Sequence, residues 1–253
     1  MSLTPRRVRA GAAAAVALAT LAGCGSITDP SGRRRDALAP ALPAHTPVLF
    51  VHGWNANSST WNTMVSRFKA SGYTSAELAT FSYPYSQSNA TTAALIAQKV
   101  DSIRAVTGVA RVAIVTHSMG TLSARYYVRY LGGDAKVDAL VSLAGPSHGT
   151  VTAYACGQTA CREMYPGSGF LSALNNTDET WGGVRYATWR SPCDEVINPQ
   201  SSPQLTGAYN YKTACLSHSR LREDATVYGQ VRDWVNRPPT ALPLLASAEP
   251  AGA

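Results

Sequence analysis

The sequence predicts an α/β fold, in which a mainly parallel β-sheet carries helices on both faces. First, its 253 residues are enough for one sizeable domain with a buried core. Second, short apolar runs alternate along the chain with longer segments of helical period, a pattern typical of parallel sheets. Third, the residues able to carry chemistry each follow a predicted strand, where sheets of this kind place their ligand sites.

Six runs are predicted to be strands from their apolar or extended character. In chain order they are residues 47–51, 76–83, 111–115, 137–143, 184–190 and 209–214. Helices are predicted over residues 60–70, 121–131 and 223–235. A further helix has Asn89 or Thr91 as its N-cap. Its apolar residues recur at roughly helical spacing and are Leu95, Val100, Ile103 and Val106.

The folded domain is expected over residues 47–236, between two segments that lack apolar periodicity. Residues 24–46 are rich in Pro, Ala, Arg, Ser and Asp, and we predict a flexible tether there. Residues 237–253 are rich in Pro and Ala, and we predict a disordered tail. The chain has no internal repeats.

Residues 1–23 have the pattern of an export signal peptide. Three arginines precede an alanine-rich apolar stretch, residues 10–22, which is too short to span a bilayer comfortably. The stretch leads into Leu-Ala-Gly-Cys, which resembles the lipobox of bacterial lipoproteins, where the cysteine is acylated after cleavage. We therefore expect an exported protein that is anchored to the cell membrane through a lipid on Cys24. The alternative is an ordinary secretory signal with an incidental cysteine, and the export route stays open.

Charge and cysteine usage bear on the class of function. The net charge is +7, and it falls to +4 without the three arginines of the signal. Since no aromatic and basic pattern accompanies this mild charge, we expect no nucleic-acid binding. Four cysteines follow Cys24, an even number that favours disulfides in an oxidising compartment. They form no CxxC pair and no histidines cluster at zinc spacing, so we predict no metal site.

A candidate nucleophile lies in the sequence Val-Thr-His-Ser-Met-Gly, between a predicted strand and a predicted helix. A nucleophilic serine needs such a sharp turn, which exposes its hydroxyl above the sheet. The usual pattern is GxSxG. Here Gly120 occupies the second glycine position, whereas Thr116 replaces the first. Ser118 is therefore the predicted nucleophile, and a helix N-cap is the alternative role for it.

A nucleophilic serine requires a histidine base, which in turn requires a carboxylate, in the chain order Ser, Asp or Glu, His. The five histidines are His45, His52, His117, His148 and His218. The first three lie in the tether, in a His-Gly turn and beside the serine. His148 follows its strand too early for an acid loop to precede it. His218 follows the last predicted strand and is the predicted base, with a surface histidine as the alternative.

The predicted acid is Asp194, which follows the strand over residues 184–190 at its carboxyl end. Glu195 is one residue further from that strand and is the alternative. Other acidic residues flank the start of a strand or lie in the long irregular segment: Asp134, Asp138, Glu163, Asp178 and Glu179.

The negative oxygen formed during attack on a carbonyl needs two backbone N–H donors. One is expected from Met119, the residue after the nucleophile, and the other from the loop that follows the first strand. In that loop Gly53 allows close approach of the backbone, and we assign the second N–H to Trp54. A packed aromatic side chain is the alternative role for this tryptophan, and it leaves the main-chain role intact.

Four sequence segments together resemble the class 2 bacterial lipases, an actinobacterial type of lipase and esterase related to the small Bacillus lipase. They are PVLFVHGW at 47–54, HSMG at 117–120, CDEVINP at 193–199 and CLSHSRLREDATVY at 215–228. The similarity extends over residues 47–235, and a small residue in place of glycine before HSMG is usual in that family. The resemblance implies the α/β-hydrolase fold.

For the site, the resemblance implies Ser118, Asp194 and His218 as a catalytic triad, with Trp54 and Met119 at the oxyanion hole. It implies hydrolysis of lipid or other lipophilic esters through an acyl-enzyme, without a cofactor. No acidic cluster argues for a structural calcium ion. An acyltransferase on the same scaffold and a non-catalytic cell-surface binding protein are the alternatives. We expect a monomer.

The triad also predicts how the cysteines pair. Cys193 precedes the candidate acid and Cys215 lies three residues before the candidate base, so a fold that joins these loops should join the two thiols. Cys156 and Cys161 would then close a local loop. That loop lies in the long segment 145–183, which forms either a lid or wall of the cleft, with Tyr165, Phe170 and Leu171 as apolar contacts, or a surface excursion.

Overall fold

The sheet at the centre of the protein is parallel throughout residues 42–238, the part of the chain that the computed structural model describes. These residues lie within the unit Pro40–Ala253. The predicted signal peptide 1–23, the predicted lipidation site Cys24, the predicted tether up to residue 41 and the predicted tail from residue 239 lie outside the described residues. No helix among those described is long and apolar enough to cross a membrane.

Six described strands form one sheet in the order β2-β1-β3-β4-β5-β6. They are β1 (Val48–Val51), β2 (Leu78–Thr80), β3 (Val112–His117), β4 (Val137–Leu143), β5 (Arg185–Arg190) and β6 (Tyr209–Lys212). Each predicted run therefore contains a strand. The runs for β2 and β6 are too long in the prediction, and β3 extends two residues beyond it, to the residue before Ser118.

Six α-helices lie within the described residues: α1 (Asn62–Ala70), α2 (Asn89–Thr107), α3 (Gly120–Tyr130), α4 (Thr159–Glu163), α5 (Gly169–Asn175) and α6 (Ala225–Val235). The predicted N-cap of α2 is wrong. Ser88 caps this helix by accepting a hydrogen bond from the N–H of Ala90. The Asn89 side chain instead bonds to Ser123 and Glu163, and Thr91 is exposed.

The two faces of the sheet support separate hydrophobic clusters. In β1, Leu49 and Val51 join the cluster that contains side chains of α2 and α3, whereas Val48 and Phe50 join the cluster that contains side chains of α1 and α6. All four side chains are fully buried. Burying an aliphatic or aromatic side chain contributes about 1.5–3 kcal/mol, so helices on both faces are needed to stabilise such a strand.

Contacts with the domain begin before residue 47, where the prediction starts the folded part. His45 stacks on Tyr73, with ring centroids 4.2 Å apart. Its backbone N–H donates to the buried carboxylate of Glu77 at 3.0 Å. The end of the predicted tether therefore packs against the sheet domain.

Candidate active site

Ser118 occupies a strained turn between β3 and α3. Its φ is +55°, a left-handed conformation that residues other than glycine rarely adopt. Its N–H donates to the carbonyl of Leu143 at the end of β4, at 2.9 Å. Helix α3 begins at Gly120 and has Met119 at its N-cap position, without a side-chain cap. Ser118 is therefore not a helix cap, and the strained turn presents its side chain at the carboxyl end of the sheet.

Two glycines allow this turn to pack against the loop after β1. A Cβ atom on Gly120 would lie 2.4 Å from the carbonyl oxygen of His52. A Cβ atom on Gly53 would lie 2.8 Å from the Cβ of Ser118. Both distances are too short for any side chain, so glycine at both positions brings the β1 loop against the nucleophile.

Thr116 fills the position where the usual motif has glycine, and its buried hydroxyl is fully bonded. It donates to the carbonyl oxygen of Val141 at 2.8 Å and contacts the hydroxyl of Thr121 at 2.7 Å. The hydroxyl of Ser142 lies 3.1 Å from that of Thr121. Because this chain of hydroxyl groups leaves no buried donor unpaired, threonine replaces the glycine without loss of the turn.

Asp194 and His218 form a buried pair at the ends of β5 and β6. The Nδ1 atom of His218 lies 2.9 Å from Oδ2 of Asp194. The other carboxylate oxygen, Oδ1, accepts the N–H groups of Val196 at 2.9 Å and Ile197 at 2.8 Å. Asp194 is 2% exposed. A carboxylate held in this way fixes the proton on Nδ1 and leaves Nε2 of His218 free to act as a base.

Glu195, the alternative acid, contacts the backbone of His218 rather than its ring. Its Oε2 accepts the His218 N–H at 2.9 Å. The carbonyl oxygen of His218 accepts a hydrogen bond from Nε2 of His117, also at 2.9 Å. Burial lowers the pKa of His117 well below its usual value, so this ring is neutral, with its proton on Nε2. The carboxylate that orients the candidate base is therefore that of Asp194.

Ser118 and His218 line the same cavity, which has a volume of about 380 Å³. The remaining lining residues are largely apolar or small: Trp54, Asn55, Thr150, Thr152, Ala153, Ala155, Cys156, Cys161, Met164, Val196 and Ile197. Within residues 42–238 the Ser118 hydroxyl makes no hydrogen bond to His218. Such bonds are often long without substrate and shorten in the reacting complex.

The structure contains both disulfide bonds that the triad argument pairs. Cys193 and Cys215 join the loops that follow β5 and β6, with their Cα atoms 5.0 Å apart. Cys156 and Cys161 close a five-residue separation, with Cα atoms 5.7 Å apart. The first pair flanks Asp194 and His218, and the second lines the cavity.

The segment from residue 150 to 164 forms one wall of the cavity, and we call it the cavity wall. Glu163 anchors it, because its carboxylate accepts the Ser88 hydroxyl at 2.6 Å and the Asn89 N–H at 2.7 Å. Gln158 anchors it from the other side by accepting the indole N–H of Trp54 at 2.8 Å. Of the two alternatives for this segment, the structure therefore favours a wall of the cleft over a surface excursion.

The three apolar contacts expected for this cleft are wrong. Tyr165, Phe170 and Leu171 do not line the cavity. Phe170 stacks on Tyr126, with ring centroids 5.4 Å apart, and Leu171 is buried in the hydrophobic cluster. Tyr165 donates its hydroxyl to the carbonyl of Cys156 and so braces the wall from outside. Phe170 and Leu171 lie in the core behind the wall because their helix, α5, packs against α3.

The loop after β1 is held by His52, a residue to which the sequence gives no role. Its Nε2 accepts the N–H of Tyr83 at 3.3 Å, and its Nδ1 donates to the carbonyl of Gly53 at 2.8 Å. The two rings stack at 3.9 Å, and burial lowers the pKa of His52, which favours this neutral form. Within the described part of the chain, the N–H groups of Trp54 and Met119 have no acceptor.

Other titratable groups lie away from this cavity. His148 bonds to Glu179 at 2.7 Å in a different pocket, as its position in the chain predicts. Among residues 42–238, no group of three or more His, Cys, Asp or Glu side chains could hold a metal ion.

The sequence gives His117 no role, offers Glu195 only as the alternative acid, and does not identify which residues of the cavity wall line the cavity. His117 and Glu195 are each adjacent in sequence to a predicted site residue, and this adjacency could have indicated a role for them. The wall residues carry no such signal, since most of those that line the cavity are threonines and alanines, which are common throughout the chain.

The fold resembles those of solved lipases. Over 77% of this chain and 94% of the other, it matches the mature form of the lipase BlEst2 from Bacillus licheniformis, with a TM-score of 0.68 and 17% identity. Over 86% of this chain and 63% of the other, it matches lipase B from Aspergillus fumigatus, with a TM-score of 0.64 and 16% identity. At these identities the likeness shows the fold, which is that of the α/β-hydrolases.

The family assignment comes from the sequence itself. The sequence profile described as "Lipase (class 2)" matches residues 45–233. This match includes the strained serine, the Asp194–His218 pair and both disulfide bonds. The chain therefore belongs to the class 2 lipases, a family of carboxylic ester hydrolases.

Proposed function

We propose that this protein hydrolyses lipophilic carboxylic esters through an acyl-enzyme on Ser118. The observation that carries the proposal is that the strained Ser118 and the oriented His218 line the same, largely apolar cavity. A nucleophile, a base and a binding cavity for an acyl chain are together what ester hydrolysis through a serine requires.

In the first half of the reaction, Oγ of Ser118 attacks the ester carbonyl carbon while Nε2 of His218 takes the hydroxyl proton. The tetrahedral intermediate then collapses, the C–O bond to the alcohol breaks, and His218 returns the proton to the departing alcohol oxygen. Asp194 keeps Nδ1 protonated and stabilises the positive charge on the ring while both steps proceed.

In the second half, a water molecule attacks the acyl-enzyme and gives its proton to His218. Collapse of this intermediate breaks the bond between the acyl carbon and Oγ, and His218 returns the proton to the serine. The products are a carboxylic acid and the free enzyme, so no cofactor enters the balance.

The negative oxygen of both intermediates would be stabilised by the N–H groups of Trp54 and Met119. Support for this comes from the close packing of Gly53 against Ser118, which brings the β1 loop beside the nucleophile. The two N–H groups are also free of intramolecular acceptors among the described residues. Removing one donor of this kind costs about 3–4 kcal/mol of transition-state stabilisation.

The cavity lining supports an ester with a hydrocarbon acyl chain as the substrate. The apolar part is formed by alanines, Met164, Ile197 and the Cys156–Cys161 disulfide. No Asp, Glu, Lys or Arg side chain is among the described lining residues, so a hydrocarbon acyl chain bound there would remove no charged side chain from water.

Hydrolysis of nitrophenyl esters from two to sixteen carbons, with triolein alongside, tests this function. Ser118→Ala should lower kcat by several orders of magnitude while the thermal unfolding temperature stays close to that of the wild type. Ser172→Ala, which truncates an exposed serine on α5, is the matched control and should keep full activity. Turnover by folded Ser118→Ala within tenfold of the wild type would exclude Ser118 as the nucleophile.

We also propose that the protein is exported and held at the membrane by a lipid on Cys24. Each buried CH₂ of an acyl chain adds about 0.8 kcal/mol of membrane affinity, so several chains would hold the protein firmly. Expressed in a bacterial host, the wild type should fractionate with membranes and Cys24→Ala should not. Mass spectrometry that finds an unmodified mature N-terminus would end this proposal.

A further inference from the structure

Three groups of His218 are each held by a different side chain. Its ring Nδ1 bonds to Asp194, its backbone N–H to Glu195 and its backbone carbonyl to His117, all at 2.9 Å. Since Asp194 and Glu195 follow β5 and His117 ends β3, the bonds come from two strands of the sheet.

The two backbone contacts are made by the sequence neighbours of the other triad members. His117 precedes the nucleophile Ser118, and Glu195 follows the acid Asp194. We infer that His117 and Glu195 are positioning residues, which fix the backbone of His218 relative to the nucleophile and the acid. This inference rests on the proposed function, because it assigns to His218 the role of the base.

The loop that carries His218 needs such contacts because it has no regular secondary structure. It lies between the end of β6 at Lys212 and the 3₁₀ turn Arg220–Arg222. Neither backbone group of His218 belongs to a sheet ladder or a helix, and both lie at a buried residue. A buried backbone N–H or carbonyl requires a partner, and here two side chains provide one each.

His117 suits this position because it donates a hydrogen bond without carrying a charge. Its ring centroid lies 4.5 Å from that of His218, which becomes positively charged during the reaction. A second positive charge at this distance would oppose that step. The buried and neutral imidazole holds the carbonyl without introducing this repulsion.

Glu195 acts as the hydrogen-bond acceptor for the backbone N–H of His218. It lies on the exposed side of the loop, whereas the Asp194 carboxylate is buried beneath. Adjacent acidic residues therefore divide the tasks, since one orients the ring and the other orients the main chain. A displacement of the base of about 1 Å can cost on the order of a hundredfold in rate.

The test compares variants that remove each hydrogen bond with variants that retain it. His117→Leu and Glu195→Ala remove the donor and the acceptor. His117→Gln keeps an N–H donor, and Glu195→Gln keeps a carbonyl acceptor. Asp233→Ala, which removes an exposed carboxylate from α6, is the control and should keep full activity. The kcat of each variant is expressed per active site titrated with a nitrophenyl phosphonate.

We expect kcat per titrated site to fall by about 10- to 100-fold in His117→Leu and Glu195→Ala, with KM nearly unchanged. The two glutamine variants should recover most of the lost turnover. If the wild-type protein hydrolyses esters and Glu195→Ala has the same kcat per titrated site, the inference for Glu195 is overturned. The same result for His117→Leu would overturn it for His117.

Two further outcomes have a different meaning: a variant that does not fold, and a wild-type protein without activity. If His117→Leu does not fold, His117→Gln and His117→Asn replace it, and equal turnover in those two variants counts against a specific contact of Nε2. If the wild type neither hydrolyses esters nor reacts with the phosphonate, the proposed function itself fails.

Discussion

The two disulfide bonds belong to regions that differ in what they position. Cys193–Cys215 joins the loops after β5 and β6, which carry the acid and the base of the proposed triad. Cys156–Cys161 joins two points of the cavity wall and borders the space assigned to the acyl chain. On the proposed function, the first region aligns the reacting groups and the second shapes the binding space.

The difference between them lies in function more than in stability. In the loop-entropy account, a bridge that closes 22 residues stabilises the fold by roughly 3 kcal/mol, and one that closes five by about 2 kcal/mol. The cavity wall is also held without its bridge, by Glu163 at the start of α2 and by Gln158 at Trp54. We therefore expect two bridges of similar energy to support catalysis in one region and selectivity in the other.

The largest effect should come from the acid that the first region positions. Asp194→Asn keeps the size of the side chain but removes the charge that fixes the tautomer of His218. We expect kcat to fall by about 10³- to 10⁴-fold. The measurement is ester hydrolysis at saturating substrate, with the exposed Asp178→Asn as control. A loss below tenfold in the folded Asp194→Asn variant would show that another group orients the base.

The next effect should come from removing the bridge between the acid and base loops. In Cys193→Ser/Cys215→Ser the loops keep the Asp194–His218 hydrogen bond but lose their covalent link. We expect stability to fall by roughly 3 kcal/mol and kcat by up to about a hundredfold. Chemical denaturation and ester kinetics measure the two losses on the same sample. A loss of stability with unchanged kcat would mean that side-chain contacts alone align the triad.

Opening the other bridge should change selectivity more than turnover. In Cys156→Ser/Cys161→Ser we expect kcat for a two-carbon ester to stay within about threefold of the wild type. The KM for longer esters should change, because two lining residues become polar and the wall gains freedom. Stability should fall by about 2 kcal/mol. An unchanged chain-length profile would show that acyl chains do not contact this wall.

The smallest expected effect is a loss of stability at acidic pH. Burial lowers the pKa values of His117 and His52, whereas in the unfolded chain each returns to about 6.5. The unfolded chain therefore binds more protons below this pH, so the free energy of unfolding is highest above pH 6.5 and declines as the pH falls toward the folded-state values. His117→Gln should make this decline shallower. The cavity wall contains no histidine, so the double variant of its cysteines should leave the slope unchanged.

The strands and the pairing of Asp194 with His218 could be predicted because strong local constraints define them. The buried strands β1, β3 and β4 have few polar residues, and the chain order Ser, Asp, His leaves His218 as the candidate base. The N-cap of α2 could not be predicted, because Ser88, Asn89 and Thr91 are all suitable caps and tertiary contacts decide among them. Asn89 is drawn to Glu163, which lies 74 residues away in the chain.

The contacts around His218 and the cavity wall were less accessible from sequence. His117 reaches a backbone carbonyl 101 residues away, and no residue type marks a carbonyl as a partner. Behind the wall, large side chains of α5 such as Phe170 and Leu171 face the core, whereas small side chains of the wall such as Ala153 and Ala155 line the cavity. Hydrophobicity predicts burial for both groups and does not distinguish a core from a binding cavity.

Covalent labelling asks directly whether Ser118 and His218 act together on an ester carbonyl. The wild type is treated with a nitrophenyl phosphonate, digested and mapped by mass spectrometry. We predict one label per molecule, on the peptide that contains Ser118, its absence in Ser118→Ala, and a labelling rate lower by several orders of magnitude in His218→Ala. A label on another residue, or undiminished labelling in His218→Ala, would contradict the account.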